Sequence, residues 1–265
     1  MNLTNLIEPL SELAQLAGNA ILKIYYSDFD VLEKDDTSPL TQADLNAHHI
    51  IIDGLKIITP NIPIISEETP LQSFEERKKW QRYWIIDPLD GTKEFVKKNG
   101  EFTVNIALIE NHKTVLGVVY VPVSMKTYIG CEGFGAQIIN RDNSKKIIRV
   151  TEHPNQKLRI VGSRSHQGDT LKSFLSQIDD YELKPMGSSL KFCLIAEGLA
   201  DIYPRYGPTS EWDTAAAQAI VEQAGGMVLT TDGQPLLYNT KDNILNPNFV
   251  VINSIKLKKL FVKND

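Results

Sequence analysis

The chain has 265 residues, 42% hydrophobic and 23% charged, enough for one large domain or two closely packed halves and without the composition of a disordered protein. Its formal net charge of -5 excludes a nucleic-acid polyanion as partner, since such binding neutralises many phosphates with Lys and Arg, but it is compatible with a small phosphate held through cations. No run of about 18 apolar residues occurs and the start, Met1-Asn2-Leu3-Thr4-Asn5-Leu6, lacks a basic segment followed by an apolar core, so no transmembrane segment is expected and the location expected is cytoplasmic, with loose attachment to the inner face of the membrane left open.

Leu3, Leu6, Ile7, Leu10, Leu13, Ala17, Ala20, Ile21 and Ile24 recur at helical spacing and predict an amphipathic helix over 2–26. A second helix is expected from near Thr41 to before Pro60, then a short strand over 62–66 and a buried strand at Trp84-Ile85-Ile86. Apolar alternation over 102–109, 115–121, 127–131 and 136–139 predicts an antiparallel meander. The charged stretch 141–146 is the expected seam between halves at 1–146 and 147–265, with the active site between them. Beyond it, strands at 158–161, 181–186, 201–203, 227–229 and 249–252 alternate with helices at 168–178, 188–198 and 212–224, the last closed by Gly225-Gly226. The sum is a mixed α/β chain, layered as an αβαβα sandwich. Cys131 and Cys193 sit in apolar or Gly-rich settings and are read as free thiols.

The most informative stretch is Asp87-Pro88-Leu89-Asp90-Gly91-Thr92. A strand ends there, Pro88 fixes a bend, and Asp87 and Asp90 face a shared point with the Leu89 carbonyl between them. Such oxygen donors suit Mg²⁺ or Mn²⁺ rather than zinc. The Gly91 and Thr92 amides open the next helix, where an anion is favoured. A turn with a helix cap accounts for most of these residues without chemistry, so the other acids matter. Glu67 and Glu68 follow a strand end and repel one another unless something neutralises them. Asp213 opens a helix, where an acid complements the dipole, and Thr41-Gln42-Ala43-Asp44 fits a variant capping box.

Taken in order, Ser66-Glu67-Glu68, Asp87 to Thr92 and Trp212-Asp213-Thr214-Ala215-Ala216 resemble the signatures of the inositol monophosphatase superfamily of lithium-sensitive, magnesium-dependent phosphatases. Lys93-Glu94-Phe95, the run 187–193 (Gly-Ser-Ser-Leu-Lys-Phe-Cys) and the run 203–209 (Tyr-Pro-Arg-Tyr-Gly-Pro-Thr) resemble its 3'(2'),5'-bisphosphate nucleotidase branch. Ser66 departs from the Gly that inositol phosphatases commonly carry. The resemblance implies one Mg²⁺ at Glu67, Asp87 and the Leu89 carbonyl, a second at Asp87, Asp90 and Asp213, and a third, weaker ion near Glu67 and Asp44, with Mn²⁺ able to substitute. It implies catalysis by Asp44, Glu67 and Thr92 through direct attack of water.

On the substrate side the resemblance implies a nucleotide bisphosphate bound by Glu67, Leu89, Asp90, Gly91, Thr92, His166, Ser188, Lys191, Arg205 and Asp213. Lys191 and Arg205 are expected at the remote phosphate, their alternative being solvated surface charge. His166 either stacks on adenine or caps the following helix, and His48 and His49 are read as structural. The expected reaction removes the 3'-phosphate of adenosine 3',5'-bisphosphate, or of the sulfate-activated nucleotide, clearing a by-product of sulfate assimilation. Inositol or fructose bisphosphate phosphatase activity, and a sensing module that binds a phosphometabolite without hydrolysis, are the rival readings. The oligomeric state is not legible.

Overall fold

The computed structural model describes residues 1–27, 39–152, 157–162 and 169–262. Asn2 caps a short 3-10 turn, Leu3–Leu6, that runs into α1 (Ile7–Tyr25). The next helix, α2 (Pro39–Ile58), begins earlier than expected, with Pro in the first turn where its missing N–H costs nothing. Thr41 to Asp44 therefore lies inside the helix rather than at a capping box. Asp44 is only 8% exposed, and its Oδ1 has no hydrogen-bond partner among the described residues.

The first sheet has seven strands in chain order: β1 (Ile64–Ser66), β2 (Arg82–Asp90), β3 (Thr103–Glu110), β4 (Lys113–Val121), β5 (Lys126–Cys131), β6 (Gly135–Ile139) and β7 (Lys145–Ile147). All neighbours are antiparallel except β1 and β2. Two short helices, α3 (Phe74–Arg77) and α4 (Thr92–Val96), interrupt it, and α3 was not anticipated from its polar sequence. The charged stretch expected as a seam is partly sheet, since Lys145 and Lys146 pair with Ile139 and Ile138.

The second sheet, in the order β11-β12-β10-β8-β9, consists of β8 (Leu158–Gly162), β9 (Tyr181–Pro185), β10 (Ile202–Arg205), β11 (Met227–Thr230) and β12 (Phe249–Ile252). Helices α5 (Asp169–Leu175), α6 (Leu190–Ala196) and α7 (Trp212–Gln223) lie between these strands in sequence.

Side-chain alternation assigns the layers. Trp84 and Ile86 of β2 join α1 and α2 in one core, while Tyr83 and Ile85 face the other way, into a core shared with α6, α7 and the second sheet. In that second sheet Val161, Tyr203 and Val251 point inward, and Ile160, Ile202, Val250 and Ile252 meet α5 and the closing turn Ile255–Leu260. The order is thus αβαβα, as the sequence predicts.

Helix α7 approaches the first sheet unusually closely. Its Ala215, Ala216, Ala217 and Ala219 are buried, and a Cβ on Gly130 of β5 would lie 2.5 Å from the Ala219 carbonyl oxygen. Gly130→Ala is expected to lower stability by about 1–3 kcal/mol through this overlap. Thermal melts should show a Tm lower by several degrees, and an unchanged Tm would mean that the helix gives way freely.

Candidate metal and phosphate site

The sequence expects β2 to end at Ile86, with Asp87 already in the turn. Instead it continues to Asp90 across a bulge: Asp87 pairs with Asn105 and Asp90 with Thr103, leaving Pro88 and Leu89 opposite a single residue. Proline fits there because it has no N–H to give the ladder. The bulge also turns Asp87 back on itself, its Oδ1 accepting from the Leu89 N–H at 3.0 Å. Gly91 follows at φ +96°, and Thr92 opens α4.

Glu67 at the end of β1, Asp87 in the bulge and Asp213 in the first turn of α7 each bring a carboxylate oxygen within 4.8 Å of the others. Asp44, from the second turn of α2, and Asp90 stand close enough to add to the field at Asp87. Burial first, and then Glu67, Asp90, Asp213 and Asp44, raise the Asp87 carboxyl well above the usual carboxylate range. Asp213 is pushed up to about 8, by burial and then by Asp90, with the Ser210 N–H opposing at 2.8 Å. Asp44 is also raised to about 8, by burial and then by Glu68 and Glu67.

Asp87 Oδ2, like Asp44 Oδ1, is buried without a hydrogen-bond partner among the described residues. A buried Asp87 carboxylate that meets those of Glu67 and Asp213, with no thiolate or imidazole in the group, fits a hard divalent cation, which would remove the repulsion that otherwise drives protons on.

Asp90 is held by the other half of the chain. Its Oδ2 accepts from the Ser189 N–H at 2.5 Å and lies 3.5 Å from Thr103 Oγ1. Ser189 Oγ in turn donates to Asn105 Oδ1 at 2.8 Å. The turn that presents Ser189 is tight: Ser188 has φ +46°, and the Gly187 N–H donates to Glu101 Oε2 at 2.8 Å. A Cβ on Gly91 would sit 3.0 Å from the Glu101 carbonyl oxygen and 3.2 Å from Ser188 Cβ, so glycine lets the two loops close on each other.

Asp90, Gly91, Ser188, Lys191, Arg205 and Asp213 line one cleft, together with Glu94, Tyr203 and Thr209. Lys191 is buried, which rules out solvated surface charge for it. Its ammonium donates to the carbonyl oxygens of Ser188 at 2.6 Å and Met186 at 3.5 Å and lies over the Tyr203 ring. Burial lowers its pKa to about 8, with Asp90 opposing and Arg205 adding to the fall. Arg205 is oriented by Thr209 Oγ1, which accepts from Nε at 2.6 Å, and by the Pro208 carbonyl, which accepts from Nη2 at 2.9 Å. His166 lies outside the described residues.

A negative cage beside a pair of buried or braced cations suits a metal-held phosphate with a second anion nearby. The model of the inositol monophosphatase family matches residues 2–261. The chain belongs to the inositol monophosphatase family. Within it, the chain is 47% identical over 93% of its length to the 3'(2'),5'-bisphosphate nucleotidase CysQ of Escherichia coli K12, covering 99% of that protein, and 48% identical, with the same coverage, to the Salmonella typhimurium CysQ. The crystal structure of CysQ from Bacteroides thetaiotaomicron, a bacterial member of the family, superposes with a TM-score of 0.84 at 39% identity, over 93% of this chain and 97% of that one. An inositol monophosphatase from Zymomonas mobilis, at 22% identity and a TM-score of 0.80, covers 98% of this chain and 96% of its own, and attests the fold.

Some residues around this cage and cleft were not singled out from the sequence. Thr103 and Asn105 are polar, fully buried and two apart on β3, where their face of the strand points at Asp90 and Ser189. Polar side chains spaced by two inside an otherwise apolar strand were the available signal. Glu101 carried no such mark, because its role depends on where the 187–189 turn lands.

Proposed function

We propose that this chain is a divalent-cation-dependent 3'(2'),5'-bisphosphate nucleotidase that hydrolyses adenosine 3',5'-bisphosphate to AMP and phosphate and also accepts the sulfate-activated nucleotide. The observation that carries the reading is near-complete alignment with CysQ proteins at 47–48% identity, together with an acidic cage that shares Asp213 with the cleft lined by Lys191 and Arg205. A role in clearing a by-product of sulfate assimilation follows from the substrate.

Glu67, Asp87 and Asp213, with Asp90 and the Leu89 carbonyl, would hold two Mg²⁺ ions, and Asp44 with Glu67 a weaker third. Mn²⁺ would substitute. Such ions supply a Lewis acid for the phosphoryl oxygens and make water a better nucleophile. The chain's own residues do the rest. Thr92, with Asp44 or Glu67, orients a water in line with the 3'-phosphorus, and a carboxylate oxygen takes its proton as the new P–O bond forms. The bond to the ribose 3'-oxygen breaks, and that oxygen recovers a proton from solvent. Lys191 has two of its three donors on the Ser188 and Met186 carbonyls, leaving one for the 5'-phosphate. Arg205, held through Nε and one terminal nitrogen, still offers the other, and the Ser188 hydroxyl lines the same wall. No phosphoenzyme forms on this route, so trapping an aspartyl phosphate would refute it.

Phosphate release from adenosine 3',5'-bisphosphate, inositol 1-phosphate and fructose 1,6-bisphosphate, with Mg²⁺ and with chelator, tests the assignment. Preference for the nucleotide, dependent on the ion, is the expected result. Equal or greater rates on the other two substrates would favour the sugar phosphatase reading, and binding without release would favour a sensor. Asp90→Asn retains an oxygen for the Ser189 N–H and so should melt like the parent, yet lose at least about a hundredfold in kcat. Near-normal turnover would remove Asp90 from the reaction.

A further inference from the structure

The serine that departs from the usual glycine before Glu67 is not idle. Its Oγ lies 2.9 Å from Nδ1 of His48 and accepts the Glu68 N–H at 3.3 Å. Both residues are buried, Ser66 at 2% exposure and His48 at 5%. A serine hydroxyl has one proton to give. With the Glu68 N–H on one lone pair, the hydroxyl can donate to Nδ1 or accept from it on the other, according to the His48 tautomer, and either way the two side chains are bonded. Burial first, and then His49 and Lys56, push the His48 pKa down, in keeping with a neutral ring.

The contact joins the elements that bear the cage. His48 lies one helical turn beyond Asp44 on α2. Ser66 ends β1, pairs with Ile86 one residue before Asp87, and precedes Glu67, whose N–H donates to the Ile86 carbonyl at 3.3 Å. Among the described residues, His48 is not one of those whose ligand atoms meet at the cage.

We propose that Ser66 and His48 are positioning residues that hold the β1 corner against α2, fixing Glu67 relative to Asp44 and so setting both cation affinity and the rate of water attack. The proposal rests on the phosphatase reading for its rate component and on geometry alone for its cation component. Supporting groups around metal ligands contribute about 10- to 100-fold in affinity or activity.

Ser66→Ala removes only the hydroxyl. Titration of the substrate-free full chain with Mn²⁺ in a calorimeter should show Kd raised about tenfold, and kcat should fall comparably while KM for adenosine 3',5'-bisphosphate stays within about twofold. His48→Asn, whose amide can accept from or donate to the Ser66 hydroxyl, should keep wild-type Mn²⁺ affinity, and His48→Leu should match Ser66→Ala. A role confined to packing would instead lower Tm in both His48 variants and leave Kd unchanged. Wild-type Mn²⁺ affinity in Ser66→Ala or in His48→Leu overturns the proposal. If Ser66→Ala fails to fold, the two His48 variants decide alone. If the wild type binds Mn²⁺ but leaves the nucleotide intact, the nucleotidase reading falls, and the affinity comparison still decides the positioning.

Discussion

Asp87→Asn is expected to raise the Tm of the metal-free protein while abolishing turnover. The substitution is nearly isosteric. The amide oxygen can still accept the Leu89 N–H, and the new NH₂ replaces Oδ2, which has no partner among the described residues, in a carboxylate grouped with those of Glu67 and Asp213. A repulsive corner becomes a donor to two carboxylates. The sign of the pH dependence follows from the same groups. Asp44 and Asp213 have folded-state pKa values near 8, and Asp87 is also raised.

Below about pH 4 these carboxyls are protonated in folded and unfolded chains alike, and the folded state suffers nothing. Above that, the unfolded chain releases protons that the folded chain retains, so metal-free stability falls as pH rises from about 4 to about 8. A divalent cation reverses the loss, most strongly at the upper end, because it competes with those protons. The variant should show a shallower pH slope in chelator, a Tm higher by about 2–4 °C for each kcal/mol of repulsion relieved, and little further gain from Mg²⁺. Its kcat should drop by about 10³-fold. Differential scanning fluorimetry between pH 5 and 8, in chelator and in Mg²⁺, together with phosphate release, makes the check. A variant that is less stable in chelator and still active would mean that Asp87 is a structural turn residue.

The parts of this arrangement that the sequence reveals are those with local causes. Leu3 to Ile24 repeats at helical spacing because one face of α1 packs on the first sheet, and the meander alternates because β2 to β6 have two different apolar neighbours. Asp213 is legible as a helix-opening acid for the same reason, and it stands in the first turn of α7 while its carboxylate also joins the cage. Asp44 misleads because a local capping pattern is present, yet Pro39 starts the helix first and burial turns the carboxylate inward. The bulge at Pro88 hides in the same way: strand geometry permits the ladder to resume at Asp90 only because Asn105 and Thr103 are there to meet it.

What stays hidden is set by long-range closure. Nothing near Arg77 in sequence predicts a guanidinium that is fully buried, paired with Asn239 Oδ1 and donating to the carbonyls of Lys241 and Asp242. Asn239 then offers its N–H to Glu211, which caps α7 two residues before Asp213. The cage thus depends on contacts more than a hundred residues apart in the chain.

Lys191→Ala should separate substrate binding from chemistry. The parent ammonium is already desolvated and tied to the Ser188 carbonyl, so it presents its remaining donor to the cleft at little further entropic cost. Hydrogen bonds to charged groups contribute about 1.5–3 kcal/mol, which corresponds to roughly 10- to 100-fold in KM for a substrate that carries the remote phosphate. A small phosphomonoester such as para-nitrophenyl phosphate has no group to reach Lys191, and its kcat/KM should change by less than about threefold. The same residue also lowers the Asp90 pKa and sits beneath the turn that gives Asp90 the Ser189 N–H. That second role predicts a different signature, an equal fall in kcat/KM for both substrates, because the cage itself would then loosen. Unequal loss assigns Lys191 to recognition of the 5'-phosphate; equal loss removes it from specificity and makes it a brace for Asp90.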